Sequence, residues 1–224
     1  MKPNQSPQED SKGPRLVYSE RQSKVDWKEA SDREVLLGIR AADEVALAEL
    51  VRRKTQALVQ VAYRVLGDLE EARDVAQVTL LKVWTHRESY DVKWAPNTWI
   101  YRIATNLAID NLRSRKSRER IQEPYKNHTV LREGGRRLRA TVARAGQAEI
   151  SQIFDELSEL LTEKQRLVFV LRELEGFSSR EVAKVADCRE STVRNHLFNA
   201  RKVLRKALIE RYPEYAAAYT KADS

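Results

Sequence analysis

The stretch Trp99-Ile-Tyr-Arg-Ile-Ala-Thr-Asn-Leu-Ala-Ile-Asp-Asn-Leu-Arg113 runs without a break into Ser114-Arg-Lys-Ser-Arg-Glu-Arg120. Trp99, Ile103 and Leu107, with Ile100 and Ala104 beside them, recur at helical spacing, so one face is expected to be buried against other helices. Arg102, Asn106 and Arg113 share another face, and Arg115, Lys116, Arg118 and Arg120 continue it with only Glu119 to oppose them. A row of cations along one side of a half-buried helix suits a polyanion. The alternative is a core helix with a solvated, charged end, and this stretch alone does not choose between the two.

Composition agrees with a polyanionic partner. The chain has 224 residues, 42% of them hydrophobic, and a formal net charge of +8. That length and apolar content can build one large or two small cores, and the charge favours nucleic acid or an acidic surface. Cys188 is the only cysteine, which excludes an intramolecular disulfide and a cysteine-rich zinc site. His86, His128 and His196 are far apart in sequence, so a catalytic triad or histidine metal cluster has little support, and no cofactor is expected. No apolar run is long enough to span a bilayer, and Met1 to Glu29 lacks the apolar core of a signal peptide. The expected location is the cytoplasm.

The periodicity divides the chain into an all-α arrangement of two small helical domains. Residues 1–26, rich in Pro, Gln, Ser, Lys and Glu, read as a disordered arm. Residues 27–120 hold a first domain. Ser31 with Glu34 makes a capping box before a short helix, a second helix runs from Asp43 to Leu66 and stops at Gly67, and a third runs from Asp68 to Trp84. Asp74 and Gln77 sit on one side of that third helix, either as an ordinary exposed pair or as a contact site.

Between Thr85 and Asn97 the pattern lapses. His86-Arg-Glu-Ser-Tyr-Asp-Val-Lys-Trp-Ala-Pro-Asn97 mixes rings, amides, hydroxyls and cations, the chemistry that holds an unstacked base. Tyr90 and Trp94 equally allow a plainer reading, in which they pin the loop to the core. Residues 121–148, with Pro124, Gly134-Gly135 and many arginines, read as a flexible basic linker.

The second domain, 149–211, opens with Ile150, Ile153, Leu157 and Leu160 at helical spacing. Thr162 with Gln165, and Ser178 with Glu181, cap two further helices; the first is expected to run to Gly176 and the second from Ser179 to Ala186. After the turn Asp187-Cys188-Arg189 a longer basic helix runs from Glu190 to Arg211, completing a helix-turn-helix pattern. Val193, Leu197, Ala200, Leu204 and Leu208 form its buried stripe and leave Arg194, Asn195, Phe198, Asn199, Arg201, Lys202 and Arg205 outside. N-terminal side chains of such a helix reach base edges while later cations hold phosphates. Phe198 could touch a thymine methyl or make a satellite core contact. Asp187 takes a turn position where a left-handed backbone is expected. The tail, 212–224, carries Tyr212, Tyr215 and Tyr219 and suggests no specific role.

The string from Trp99 to Arg113, the segment Asp74-Val-Ala-Gln77-Val-Thr-Leu80, and the run from Leu161 to Arg201 together resemble the extracytoplasmic-function (ECF) sigma factors. The likeness covers about residues 30 to 120 and 150 to 210, as sigma regions 2 and 4 in the family's order. It implies a non-enzymatic initiation factor that brings core RNA polymerase to promoters. Asp74, Gln77, Val78 and Leu81 would then dock on the polymerase clamp helices, although the family usually has an acidic residue at Val78 and Phe at Leu80.

Ser89, Tyr90, Lys93, Trp94, Asn97, Arg102, Asn106, Arg113, Arg115 and Lys116 would engage the single-stranded −10 element. Ser191, Thr192, Arg194, Asn195, Phe198, Asn199 and Lys202 would read the duplex −35 element. His196 and Asn199 stand where arginine is frequent in the family, so the preferred upstream sequence is open. The linker would thread polymerase channels, and the family's regulation implies an anti-sigma protein.

Two rivals remain at this point. A free-standing helix-turn-helix regulator has no use for the Asp74 segment. A nucleic-acid enzyme would need clustered carboxylates or a metal site near the basic surface, and the sequence shows no compact motif of that kind and no phosphate-binding glycine loop.

Overall fold

The computed structural model describes residues 25–122 and 145–215, and every regular element among them is helical. The arm up to residue 24, the linker between 123 and 144 and the tail beyond 215 lie outside the described residues. Helix α1 (Asp32–Arg40) starts where the Ser31 hydroxyl accepts from the Glu34 amide at 3.3 Å and the Glu34 carboxylate accepts from the Ser31 amide at 2.7 Å. Asp43 caps α2 (Glu44–Leu66), accepting from the amides of Val45 and Ala46 at 2.8 and 3.1 Å. Gly67, at φ 73°, takes the left-handed turn that ends it, and Asp68 caps α3 (Leu69–Thr85). A 3₁₀ turn at Arg87–Ser89 leads into the loop before α4 (Pro96–Gln122).

The second half contains α5 (Ala145–Ser158), α6 (Glu163–Phe169), α7 (Ser179–Val185) and α8 (Glu190–Arg211). Thr162 and Ser178 make the two expected capping boxes, each worth about 1 kcal/mol. Helix α5 begins four residues ahead of Glu149. The helix expected to run to Gly176 changes at Phe169 into a wide π-type turn over Val170–Leu174, where the Glu175 amide reaches the Val170 carbonyl at 3.0 Å. Asp187 adopts φ 51°, the left-handed turn its position suggested, and the Cys188 amide closes the end of α7 on the Ala183 carbonyl at 3.0 Å.

The buried face of α4 includes the expected Ile100 and Ala104 but is centred to one side of Trp99, Ile103 and Leu107. Ile100, Tyr101, Ala104, Ala108 and Leu112 face the core, while Trp99, Ile103 and Leu107 are only partly buried against it. Helix α4 packs on α2 and α3 and also meets α7, while Trp99 stands against Tyr90 of the loop. In α8, Val193, Leu197 and Ala200 are buried as expected, Ala207 joins them, and Leu204 and Leu208 are half-buried. Of the stripe expected for this helix Leu157 is buried, Ile150 is exposed, and Leu160 lies beyond the helix end and is exposed.

Four helices pack α1 on α2, α2 on α3, and both on α4, around Leu36, Leu50, Leu58, Val61, Val65 and Ile100. Each such fully buried side chain contributes about 2 kcal/mol. Arg53 organises the approach to α1: its guanidinium donates to the carbonyls of Trp27, Lys28 and Ala30 at 2.6 to 2.9 Å and to the carboxylates of Asp32 and Glu49. Paired with Arg52 and then Arg53, the Glu49 carboxyl is held down to about 2.

The second half docks on the first, and buried side chains of both form one continuous core. Tyr101 meets Phe177, Arg64 donates to Glu175, and Arg166 donates to the Val65 carbonyl at 3.2 Å.

Candidate nucleic-acid interface

Three surfaces hold the residues singled out from the sequence. The first is the outer side of α3. Ala72, Val75, Ala76, Leu80 and Val83 turn inward, which leaves Asp74, Gln77, Val78 and Leu81 exposed in one strip. Leu81 is 59% exposed, a large apolar side chain held in water by its helix register. Leu80 belongs to the core.

The second surface is the loop before α4. Tyr90 is 1% exposed, its ring stands 5.1 Å from that of Trp99, and its hydroxyl donates to the Trp94 carbonyl at 3.2 Å. Burial also pushes its phenol up. Tyr90 therefore pins the loop, and its ring is not presented to a base in this conformation. Trp94 is half-buried, with the Arg102 guanidinium 5.3 Å and the Lys184 ammonium 5.7 Å from its ring centre.

Lys93, Asn97, Asn106 and Arg113 are exposed, as is Ser89, whose hydroxyl donates to the His86 carbonyl at 2.7 Å. Asn97 accepts from Lys54 at 2.8 Å, so its amide oxygen is already held. Arg115 behaves differently from its neighbours: only 21% exposed, it donates to Glu71 and to the Leu66 carbonyl at the end of α2, both at 3.3 Å. It staples α4 to α2 and α3. The Lys116 side chain lies outside the described residues.

The third surface is the outer face of α8. Ser191, Arg194, Asn195, Phe198 and Lys202 are exposed, and Thr192 and Asn199 are half-buried, with the Asn199 amide donating to Asn195 at 3.3 Å. Phe198 is 67% exposed, which removes the core-contact reading. Arg201 is drawn aside to Glu173 at 2.8 Å. Cys188, at the turn, is half-buried, and burial pushes its thiol up, as for a small apolar side chain.

Sequence reasoning did not find Lys184 beside Trp94 or Asp187 beside Arg102. They lie 82 and more residues from Arg102, and no local pattern signals such a meeting.

Residues 50–118 match the family description Sigma-70 region 2, and residues 151–204 match Sigma-70, region 4. The RNA polymerase sigma-H factor of Pseudomonas aeruginosa is 30% identical over 184 residues, covering 79% of this chain and 93% of that protein. The chain is an ECF sigma factor. SigW of Bacillus subtilis, an ECF RNA polymerase sigma factor, is 28% identical over 178 residues, covering 76% of this chain and 92% of its own. In fold the sigma factor is similar to CnrH in its complex with the cytosolic domain of CnrY, with TM-score 0.61 and 22% identity over 81% of this chain and 99% of that one. It is also similar to RpoE in complex with the anti-sigma factor NepR from Bartonella quintana, with TM-score 0.58 and 20% identity over 72% of this chain and 95% of that one.

Membership of the family makes the sigma factor a non-enzymatic initiation factor that directs core RNA polymerase to promoters. Among the described residues no helix is long and apolar enough to cross a membrane.

Proposed function

We propose that the sigma factor divides promoter recognition among the three surfaces. The α3 strip of Asp74, Gln77, Val78 and Leu81 docks on core polymerase. Residues 27–120 act as the unit that traps and supports the opened −10 strand, with Trp94 as the stacking ring, Ser89, Lys93, Asn97 and Asn106 around the base, and Arg102, Arg113 and Lys116 toward phosphates. Residues 149–211 form the −35 reader: Ser191, Thr192, Arg194, Asn195 and Phe198 enter the major groove, while Asn199 and Lys202 approach the backbone. Residues 121–148 connect them, and the arm 1–26 and tail 212–224 lie outside both units. Tyr90 and Arg115 serve by holding the loop and α4 in place. Melting draws on the free energy of these contacts, with no nucleotide hydrolysis.

The observation that carries this reading is the exposed apolar Leu81, on a strip that nothing among the described residues covers. A free-standing repressor needs no such strip, whereas a protein docking on polymerase does. RpoE is seen in complex with the anti-sigma factor NepR and CnrH with the cytosolic domain of CnrY, and we extend the first of these to an anti-sigma protein for the present chain, acting in the cytoplasm.

Transcription from a mixed promoter library, with core polymerase and with or without the protein, tests the reading. Defined start sites should appear only when it is added. Trp94→Ala should reduce strand opening at the −10 element, and Phe198→Ala should relax the −35 preference. Initiation that is indifferent to both substitutions would overturn the assignment of residues.

A further inference from the structure

The turn that carries Trp94 is closed on itself and fastened to the body of the protein by α1. The Trp94 amide donates to the Asp91 carbonyl at 2.9 Å, the Lys93 amide donates to the Asp91 carboxylate at 2.9 Å, and the Tyr90 hydroxyl donates to the Trp94 carbonyl. These bonds make residues 91–94 a small rigid unit with Val92 and Lys93 at its tip. The carbonyl of the first tip residue points away from such a turn, so its partner must come from elsewhere. It comes from α1: the Arg33 guanidinium donates to the Val92 carbonyl at 2.6 Å, across 59 residues of sequence.

Further ties lie to either side. Arg40, on the same face of α1 as Arg33, donates to the Tyr90 carbonyl at a long 3.5 Å, and α1 packs against the Arg87–Ser89 turn. At the far end of the loop Asp32 pairs with Lys54, which donates to the Asn97 amide oxygen at 2.8 Å. The loop is thus held at Tyr90, Val92 and Asn97, and the bond from Arg33 is the shortest of these. Arg33 does no such service for its own helix. It is the second residue of α1, where a cation opposes the positive end of the helix dipole.

We infer that Arg33 is a positioning residue that determines −10 specificity: by fastening the Val92 carbonyl to α1 it sets where Trp94 and Lys93 stand, and so which base of the opened strand is accepted, without touching the DNA. The inference rests on the assignment of the loop to the −10 strand. A recognition pocket needs its side chains held to within about 0.5 Å, and a turn tied at Tyr90 and Asn97 alone can swing about those two points. Arg40 limits the swing from the start of the loop, and Arg33 fixes its tip.

The parent, Arg33→Ala and Arg33→Lys are compared as holoenzymes on a promoter library randomised at both elements. Arg33→Ala should lower discrimination among −10 bases about three- to tenfold and leave the −35 preference and the slope of log affinity against log salt unchanged. Arg33→Lys keeps a charged donor for this single carbonyl and should recover most of the discrimination. Amide exchange across residues 87–95 of the free protein should quicken by a similar factor in Arg33→Ala, while the thermal midpoint holds or rises, because the change removes a cation from the start of α1.

A −10 preference unchanged in Arg33→Ala overturns the inference. So does a salt slope lower by about one, which would make Arg33 a phosphate contact, and so does a loss shared equally by both elements with a lower thermal midpoint, which would make it an ordinary structural tie. Trp94→Ala tests the assignment beneath. If that holoenzyme keeps the parent's −10 preference, the loop is not the −10 reader, and faster exchange in Arg33→Ala would then describe a hold on the loop with no part in recognition.

Discussion

The ring of Phe177 lies 5.1 Å from that of Tyr101, tilted by 52°, and each side chain is at most 8% exposed. The pair joins the segment between α6 and α7 to α4, so the docking of the two halves has an apolar centre with Arg64 and Glu175 beside it. Phe177→Ala should cost about 3 kcal/mol at this contact. Denaturant unfolding followed separately in each half should then lose its coincidence, the second half melting first. One shared transition at an unchanged midpoint would show that the docking adds nothing to stability.

Glu175 gives the same contact a pH dependence. Burial pushes its carboxyl above the usual range, against the opposing pull of Arg64 and Tyr101. A carboxyl whose pKa is raised by docking binds its proton more tightly when docked, so docking weakens as pH rises through the window above the ordinary carboxylate value. Burial, with Glu175 beside it, likewise raises the Tyr101 phenol to about 12, so that ring stays neutral throughout. Energy transfer between fluorophores placed one on each half should rise from pH 7 to pH 5, and Glu175→Gln should abolish the pH dependence.

The first half responds to acid with the opposite sign. Arg52 and Arg53 hold the Glu49 carboxyl at about 2, and Lys54 and Arg53 lower that of Asp32 against the cost of burial. Both groups contribute stability that is full above the ordinary carboxylate range and is lost as pH falls toward 2. Thermal unfolding of the full chain should show its midpoint dropping from about pH 5 downward. Glu49→Gln should flatten that drop and lower the midpoint at neutral pH by leaving the arginines unmatched.

How far the sequence carried follows from the range of each interaction. Caps and turns were legible because they are local: Ser31 with Glu34, Thr162 with Gln165, Ser178 with Glu181, and the left-handed Asp187 all stand as the spacing implied. The α4 face was read only in part: Ile100 and Ala104 are buried as the spacing implied, but Trp99, Ile103 and Leu107, the larger side chains, sit at its edge, while Ala108 and Leu112 continue the closest packing. Ala42 adopts φ 63° without the glycine that would have marked it, closing α1 as the Asp43 amide bonds Gly38 at 3.0 Å. Within the candidate site, exposure on α3 and α8 followed from helical period alone. Tyr90 and Arg115 could not be sorted from their neighbours, since their partners Trp99, Glu71 and Leu66 became visible only through the fold.

Leu81→Glu separates polymerase docking from folding. At 59% exposure the side chain carries little of the core, so stability should stay within about 0.5 kcal/mol of the parent. Affinity for core polymerase should fall about tenfold or more if the strip lies in the docked surface. Sedimentation with core polymerase reads the affinity, and equal binding by variant and parent would remove Leu81 from the interface.

Phe198 and Lys202 make different demands on the same duplex. Phe198 is 67% exposed among polar groups, so Phe198→Ala should leave stability within about 0.5 kcal/mol while costing about 1 kcal/mol at promoters with a thymine under the ring. Lys202 holds charge rather than shape: Lys202→Ala should weaken all duplexes alike and reduce the slope of log affinity against log salt by about one. Titrations of holoenzyme on one strong promoter and on its thymine-substituted variant, each at several salt concentrations, distinguish the two. A Phe198→Ala loss equal on both duplexes would make the ring a general contact, and an unchanged salt slope for Lys202→Ala would place that cation away from the phosphates.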